Sequence, residues 1–238
     1  ENLCMFGVEV FRLPTLTQAQ SEMLVERRNW HTLEEALQRG KGVIVVTAHM
    51  GNYDLAACSQ AIRGVPINAI VKTMHWAPAH RFIFGARERA GLKLIAPQRS
   101  KDDIRAVLKR GEIVVFIIDQ HMLPYQGIVC EFFGQLASTT PAPTRFALET
   151  GAPIVPLWIY RKSRRGAHVL CIEPELVLET PYEDRDANLR HNTERLNRLV
   201  ESWIRQQPEQ WLWLHQRWKV QDNPEGWSIP ANLRKAES

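Results

Sequence analysis

Long apolar runs are missing from this sequence. No stretch approaches the roughly 18 to 20 apolar residues that span a bilayer, and no signal peptide is visible. Cysteine is sparse, at four in 238 residues (Cys4, Cys58, Cys130 and Cys171), without a C-x-x-C pair. That spacing excludes a disulfide framework or a cysteine zinc site and reads as free thiols in a reducing compartment. Charge excess is small. A formal net charge of +4 permits an acidic partner or an anionic membrane surface without demanding either. No basic helical stripe carries base-stacking aromatics, so nucleic acid is not indicated. There is no G-x-S-x-G elbow, which removes the usual serine nucleophile of an α/β hydrolase. Neither a Walker A lysine loop nor a G-x-G-x-x-G after a strand is present, which argues against nucleotide-cradling folds. Internal repeats and low-complexity tracts are absent.

What is present is a rhythm. Gly40, Gly64, Gly91, Gly111 and Gly151 each follow a helical pattern and precede an apolar run. That is where a left-handed helix end places glycine. The runs are Val43–Thr47, Ile67–Val71, Leu92–Ala96, Ile113–Ile118 and Ile154–Tyr160. They are continuous, as in strands covered on both faces. Helical patterns lie between them, over about Asn52–Arg63, Pro78–Ala90, Asp102–Arg110 and Pro143–Thr150. The expected fold is α/β, a largely parallel central sheet flanked by helices. Thr17–Asn29 and Leu33–Arg39 read as helices before the sheet. Arg161–Ala167 reads as a hairpin turn returning through His168–Glu173. Asp186–Gln206 reads as a long amphipathic helix with Leu189, Leu196, Leu199, Val200, Trp203 and Ile204 on one face. From Asn223 onward the tail reads as frayed.

The chemistry concentrates in "VIVVTAHMGNYDLAACS". His49 ends the first core strand, where open α/β sheets bind ligands. Gly51 allows a tight turn and a close substrate approach. Asn52 suits an N-cap, and Asp54 falls in the first helical turn, where the dipole favours its charge. Asp54 can fix the imidazole tautomer, leaving the other ring nitrogen to take a proton from a hydroxyl. A base without a side-chain nucleophile points to direct attack of a bound hydroxyl on an acyl donor. The bland alternative is that Asn52 and Asp54 only cap a helix and His49 is a satisfied strand-end histidine. A metal alternative uses His49 with Asp119 and His121. The same H-x4-D/E spacing recurs at His168–Glu173. There it lies inside a strand, where residues five apart face opposite ways.

Several ordered blocks then make a resemblance specific. Val43–Gly64 resembles the first motif of the lysophospholipid-type acyltransferase superfamily. "FGARERAGLKLI" (Phe84–Ile95), Gly111–Trp158 and "RLNRLVESWIRQQPEQWLWLHQRWK" (Arg195–Lys219) resemble later blocks. More narrowly, the chain resembles the late acyltransferases of lipid A biosynthesis and the related mycobacterial phosphatidylinositol mannoside acyltransferases. The resemblance implies a glycerol-phosphate-acyltransferase-like fold and a single acyltransferase domain over 1–238. Within it, 1–40 is an N-terminal helical region, 41–219 the catalytic core and 220–238 a tail. It implies acyl transfer from an acyl carrier protein or coenzyme A thioester, as co-substrate, to a glycolipid hydroxyl. His49 is then the general base and Asp54 its partner. It also implies no metal or other cofactor, and a place at the cytoplasmic face of the inner membrane, peripheral or anchored by a segment preceding Glu1. Two places depart from the family pattern. His121 and Met122 stand where an acidic residue often follows "DQ", and Glu131 stands where a proline often precedes "FFG".

Substrate-binding candidates follow. Arg87, at a family arginine, can pair with a phosphate. Asp119 and Gln120 end a core strand on the rim of His49 and can orient the site. Glu131 lies near a glutamate that in the mannoside enzymes approaches the histidine. Phe132 and Phe133, beside Gly134, can line an acyl groove or form a packed bend. Gly51 and Asn52 complete the set. Arg161, Lys162, Arg164 and Arg165 can meet acidic carrier protein or lipid phosphate. Trp211, Trp213 and Trp218, with Arg217 and Lys219, suit a membrane interface or core packing. The apolar "MFGVEVF" near the N-terminus is the better candidate for membrane contact. Competing functions are a thioesterase using the same base on water and a peripheral membrane-binding module.

Overall fold

Two apolar runs, Val43–Thr47 (β2) and Ile113–Ile117 (β5), pair in parallel at the heart of a seven-stranded sheet. The computed structural model describes residues 2–71, 76–96, 100–163, 166–222 and 226–227. The other strands of this sheet are Val25–Arg28 (β1), Ile67–Ile70 (β3), Lys93–Ile95 (β4), Ile154–Arg161 (β8) and His168–Ile172 (β9). Their order is β1-β9-β8-β2-β5-β3-β4. Only the β8–β9 contact, closed by the expected hairpin, is antiparallel, so the largely parallel α/β expectation holds. The helices are Asn2–Arg12 (α1), Gln18–Leu24 (α2), Trp30–Gln38 (α3), Tyr53–Ile62 (α4), Ala77–Arg89 (α5), Ser100–Lys109 (α6), Ala142–Thr150 (α7), Arg185–Gln206 (α8) and the short Lys219–Asp222 (α9).

Alternation along each central strand divides the core in two. Ile44, Val46, Val114 and Phe116 face one side and share a core with Ile104 and Leu108 of α6, Phe146 of α7 and Leu196, Val200, Trp203 and Ile204 of α8. Val43, Val45 and Ile113 face the other, with Leu33 of α3, Leu55 and Cys58 of α4 and Ala86 of α5. Both faces of β2 are therefore dry, which explains its unbroken apolar run. All four cysteines are free thiols, with Cys58 and Cys130 buried.

Two stretches differ from the sequence reading. Thr17–Asn29 is not one helix. α2 ends at Leu24, and Val25–Arg28 joins β9 as a parallel edge strand, so the N-terminal region contributes to the main sheet. Only Val25 of that strand is buried, so its apolar pattern is too thin to mark it. The segment around Glu131 is a hairpin, Ile128–Phe132 (β6) with Gln135–Thr139 (β7), turned by Phe133 and Gly134 at φ 54° and 69°. A left-handed pair of this kind matches the twist of a two-residue hairpin. Arg164, Arg165 and most of the tail after Asp222 lie outside the described residues.

Candidate active site

Parallel pairing of β2 with β5 sets Thr47 opposite Ile117. Continuing that register by two residues brings His49 beside Asp119. The Asp119 carboxylate grips His49 twice. Oδ1 faces Nδ1 at 2.8 Å, and Oδ2 accepts the His49 backbone N–H at 3.0 Å. Oδ2 also accepts the Trp211 indole N–H at 2.7 Å. A carboxylate offers only acceptors, so His49 carries its proton on Nδ1 and presents a bare Nε2. Burial pushes the Asp119 carboxyl up, but the His49 charge and these bonds outweigh it and hold it below the usual aspartate range. The His49 side chain is 15% exposed. Its ring meets Tyr53 edge-on at 4.8 Å, and its Nε2 lies 3.4 Å from the Gln120 amide nitrogen, a long contact.

The carboxylate that meets the His49 Nδ1 is therefore Asp119 and not the expected Asp54. Asp54 sits in the first turn of α4 and turns towards α5, where Arg87 donates to its Oδ1 at 2.8 Å. Burial pushes the Asp54 carboxyl up, against the opposing pull of Arg87 and His49. Arg87 is thus the counter-ion of Asp54, and its guanidinium is already engaged in that pair.

Other candidates are structural. Gly51 takes φ +53°, and a Cβ there would lie 2.5 Å from the Ile159 carbonyl oxygen. The close approach seen there is that of strand β8. Asn52 is fully buried; its Oδ1 caps α4 by accepting from Leu55 N–H at 2.8 Å, and its Nδ2 donates to Glu9 at 2.9 Å. Phe132 is fully buried against Trp211, Trp218 and the Arg217 guanidinium, so the packed-bend reading applies and it lines no groove. Phe133 packs edge-on against Phe132 under Arg205. Glu131 is exposed on β6, across from Leu136, with Glu194 as a charged neighbour, and nothing links it to His49.

The metal alternative does not match the geometry. Both Asp119 oxygens are committed, and the His121 ring lies edge-on against Trp227. Among the described residues no cluster of metal-ligating side chains is disposed for an ion. Of the basic turn, Arg161 is buried against Glu9, with Nη2 to Oε2 at 2.7 Å, and Lys162 pairs with Glu26 at 3.0 Å. Trp211 packs inside while Trp213 stands exposed.

The segment 211–217, read from the sequence as membrane interface or core packing, laces the site together. Trp211 bonds Asp119, Leu212 N–H donates to His49 O at 3.0 Å, and Arg217 donates to Gln120 O at 3.2 Å. Between them, His215 Nε2 accepts the His121 backbone N–H at 2.8 Å. The block Arg195–Lys219 was visible in the sequence, but nothing in its spacing marks residues 211–217 as partners of residues 49 and 119–121.

A sequence profile described as bacterial lipid A biosynthesis acyltransferase matches residues 1–220. A lipid A biosynthesis acyltransferase of Haemophilus influenzae is 23% identical over 185 residues, 77% of this chain and 56% of that protein. A phosphatidylinositol mannoside acyltransferase of Mycobacterium tuberculosis is 26% identical over 161 residues, 66% and 51% respectively. The chain thus spans about half the length of these relatives. The crystal structure of a 1-acyl-sn-glycerophosphate acyltransferase from Thermotoga maritima aligns at TM-score 0.42 and 16% identity, covering 82% of this chain and 78% of that one. A likeness of that size adds nothing to the fold described above.

Proposed function

The chain belongs to the bacterial lipid A biosynthesis acyltransferase family, and from that premise we propose that it moves a fatty acyl chain from a thioester to a hydroxyl of a membrane glycolipid. The carrying observation is the His49 imidazole, tied at Nδ1 to Asp119 across two strand ends with Nε2 bare at the rim. The acceptor hydroxyl displaces the Gln120 amide and gives its proton to Nε2. Its oxygen attacks the thioester carbonyl, and the tetrahedral intermediate expels the thiolate, which recovers the proton from His49. Asp119 stabilises the imidazolium that exists between these steps. The donor is an acyl carrier protein or coenzyme A thioester. No further cofactor is part of this scheme.

No helix among the described residues is long and apolar enough to cross a membrane. Leu3, Val8 and Phe11 stand exposed on α1 and support contact with a membrane surface; the place proposed for it is the cytoplasmic face of the inner membrane. A lipid A precursor is the first acceptor to try, and a phosphatidylinositol mannoside the second.

The test is thioester consumption by the purified protein with either lipid, or with none, and with both donors. One lipid gaining an acyl chain supports the transferase and names the acceptor. Thioester hydrolysis at a rate that no lipid changes makes it a thioesterase. No turnover in any arm leaves only the membrane-binding role.

A further inference from the structure

His215 stands at the same rim as His49 with one ring nitrogen spent and, among the described residues, the other without a hydrogen-bond partner. Three bonds fix its place. Trp211 and Leu212, just before it, are tied to Asp119 and to the His49 carbonyl. Arg217, just after it, is tied to the Gln120 carbonyl. The ring itself is held by the His121 backbone N–H, which donates to Nε2 at 2.8 Å. A backbone amide can only donate, so Nε2 must be the unprotonated nitrogen and Nδ1 must carry the hydrogen. His215 is half-buried, and among the described residues no acceptor is recorded for that Nδ1–H.

We propose that His215 is the hydrogen-bond donor to the acyl carbonyl oxygen, so that His49 acts as base on one side of the reacting carbon and His215 polarises it from another. This rests on the acyl-transfer reading above. As the acceptor oxygen forms its bond to the carbonyl carbon and His49 Nε2 takes the hydroxyl proton, the carbonyl π pair moves onto oxygen. His215 Nδ1–H donates to that oxyanion without transferring its proton. When the pair returns, the C–S bond breaks and the thiolate leaves.

Such a donor works best as a neutral imidazole. An imidazolium would forfeit the His121 bond and would set a second cation beside the imidazolium that His49 becomes. The surroundings favour neutrality. Burial lowers the His215 pKa; Asp119 opposes this, while His49, Arg217 and His121 add to it. Among the described residues these four are the charged or titratable groups that act on it most. The arrangement follows the logic of a neutral histidine electrophile whose far nitrogen is pinned by a backbone amide.

Two near-isosteric changes separate this role from a structural one. In His215→Gln the side-chain oxygen reaches the Nε2 position and still accepts from His121, but no hydrogen remains at the Nδ1 position. In His215→Asn the amide nitrogen sits where Nδ1–H was, while the His121 bond is lost. The proposal expects H215Q to melt like wild type and lose about 100- to 1,000-fold in kcat, as for removal of one oxyanion donor, with KM for the thioester little changed. H215N is expected to melt lower and keep most of kcat. The reverse pattern, with activity following the His121 bond and the melting temperature, overturns the proposal. Ring nitrogen-15 spectra of histidine-labelled protein give a second reading that needs no turnover. A neutral Nδ1–H tautomer at pH 7 supports the assignment, and an Nε2–H tautomer or an imidazolium refutes it. If wild type transfers no acyl chain, the reading of the previous section falls, and these spectra still decide what His215 presents beside His49.

Discussion

Replacing Asp119 with asparagine should disable His49 without removing it. The carboxylate receives three bonds: His49 N–H and Trp211 Nε1–H at Oδ2, and His49 Nδ1 at Oδ1. The two donors at Oδ2 belong to a backbone amide and an indole, which have no other protonation state. The asparagine oxygen must therefore take the Oδ2 position. Its NH2 then faces Nδ1, which must accept, and the imidazole proton moves to Nε2. The nitrogen at the rim becomes a donor and can no longer act as a base. A wrong tautomer held in unchanged geometry costs about ten-thousand-fold in kcat. All three bonds persist with a neutral partner but lose the carboxylate's charge, so folding stability should fall by about 1–3 kcal/mol. The assay is acyl transfer at saturating thioester, with thermal melting in parallel and Asp54→Asn as the comparison. Asp54 faces Arg87, so D54N should leave the tautomer alone and act through stability. If D119N stays within tenfold of wild type while D54N loses activity about ten-thousand-fold, the assignment of Asp119 is wrong and Asp54 is the orienting carboxylate.

Three further outcomes are expected. Gly51→Ala forces a Cβ onto a φ of +53° and to within 2.5 Å of the Ile159 carbonyl oxygen; urea unfolding should show a loss beyond the about 1–2 kcal/mol of a left-handed residue alone, and an unchanged midpoint would refute the close packing of β8. Arg87→Ala leaves Asp54 buried without its cation, a loss of about 3–5 kcal/mol when the carboxylate stays charged. Burial already pushes the Asp54 pKa up, and without Arg87 it rises further, so the variant should lose stability relative to wild type as pH rises above the unfolded carboxyl's value of about 4; a flat difference would contradict this. Glu9 is held down to about 2, because His168, Arg161 and Asn52 outweigh its burial. A depressed carboxyl stabilises the fold above its unfolded pKa and ceases to do so as pH falls through the folded one. Wild type should therefore lose more stability than Glu9→Gln between pH 4.5 and about 2, measured by urea unfolding.

The parts of the molecule that were legible in the sequence are those whose causes are local. β2 announces itself because both its faces are dry, β5 and β8 because both faces are largely covered, and α8 because its buried residues recur at helical spacing. β1 was illegible because one buried residue, Val25, carries no period, and its partner β9 is about 140 residues away. The β6–β7 hairpin hid behind Phe133, a residue that rarely takes a positive φ. His49 and its rim position were legible, because a histidine at the end of a dry strand needs a reason. Its partner was not. The nearby Asp54 fits a familiar spacing, but the carboxylate that reaches Nδ1 comes from 70 residues away through the register of β2 with β5. Trp211 and His215 arrive from still further, through backbone bonds that leave no trace in composition or periodicity.

The measurement that tests the account most directly is the rate of ester formation on the acceptor lipid, followed by the mass gained by the lipid, for wild type and His49→Ala. With a lipid A precursor and a carrier-protein or coenzyme A thioester, wild type should add one acyl chain to the lipid. His49→Ala should fold and bind donor, yet add none above background. If His49→Ala acylates the lipid as fast as wild type, His49 is not the base, and the chemistry lies elsewhere in the molecule.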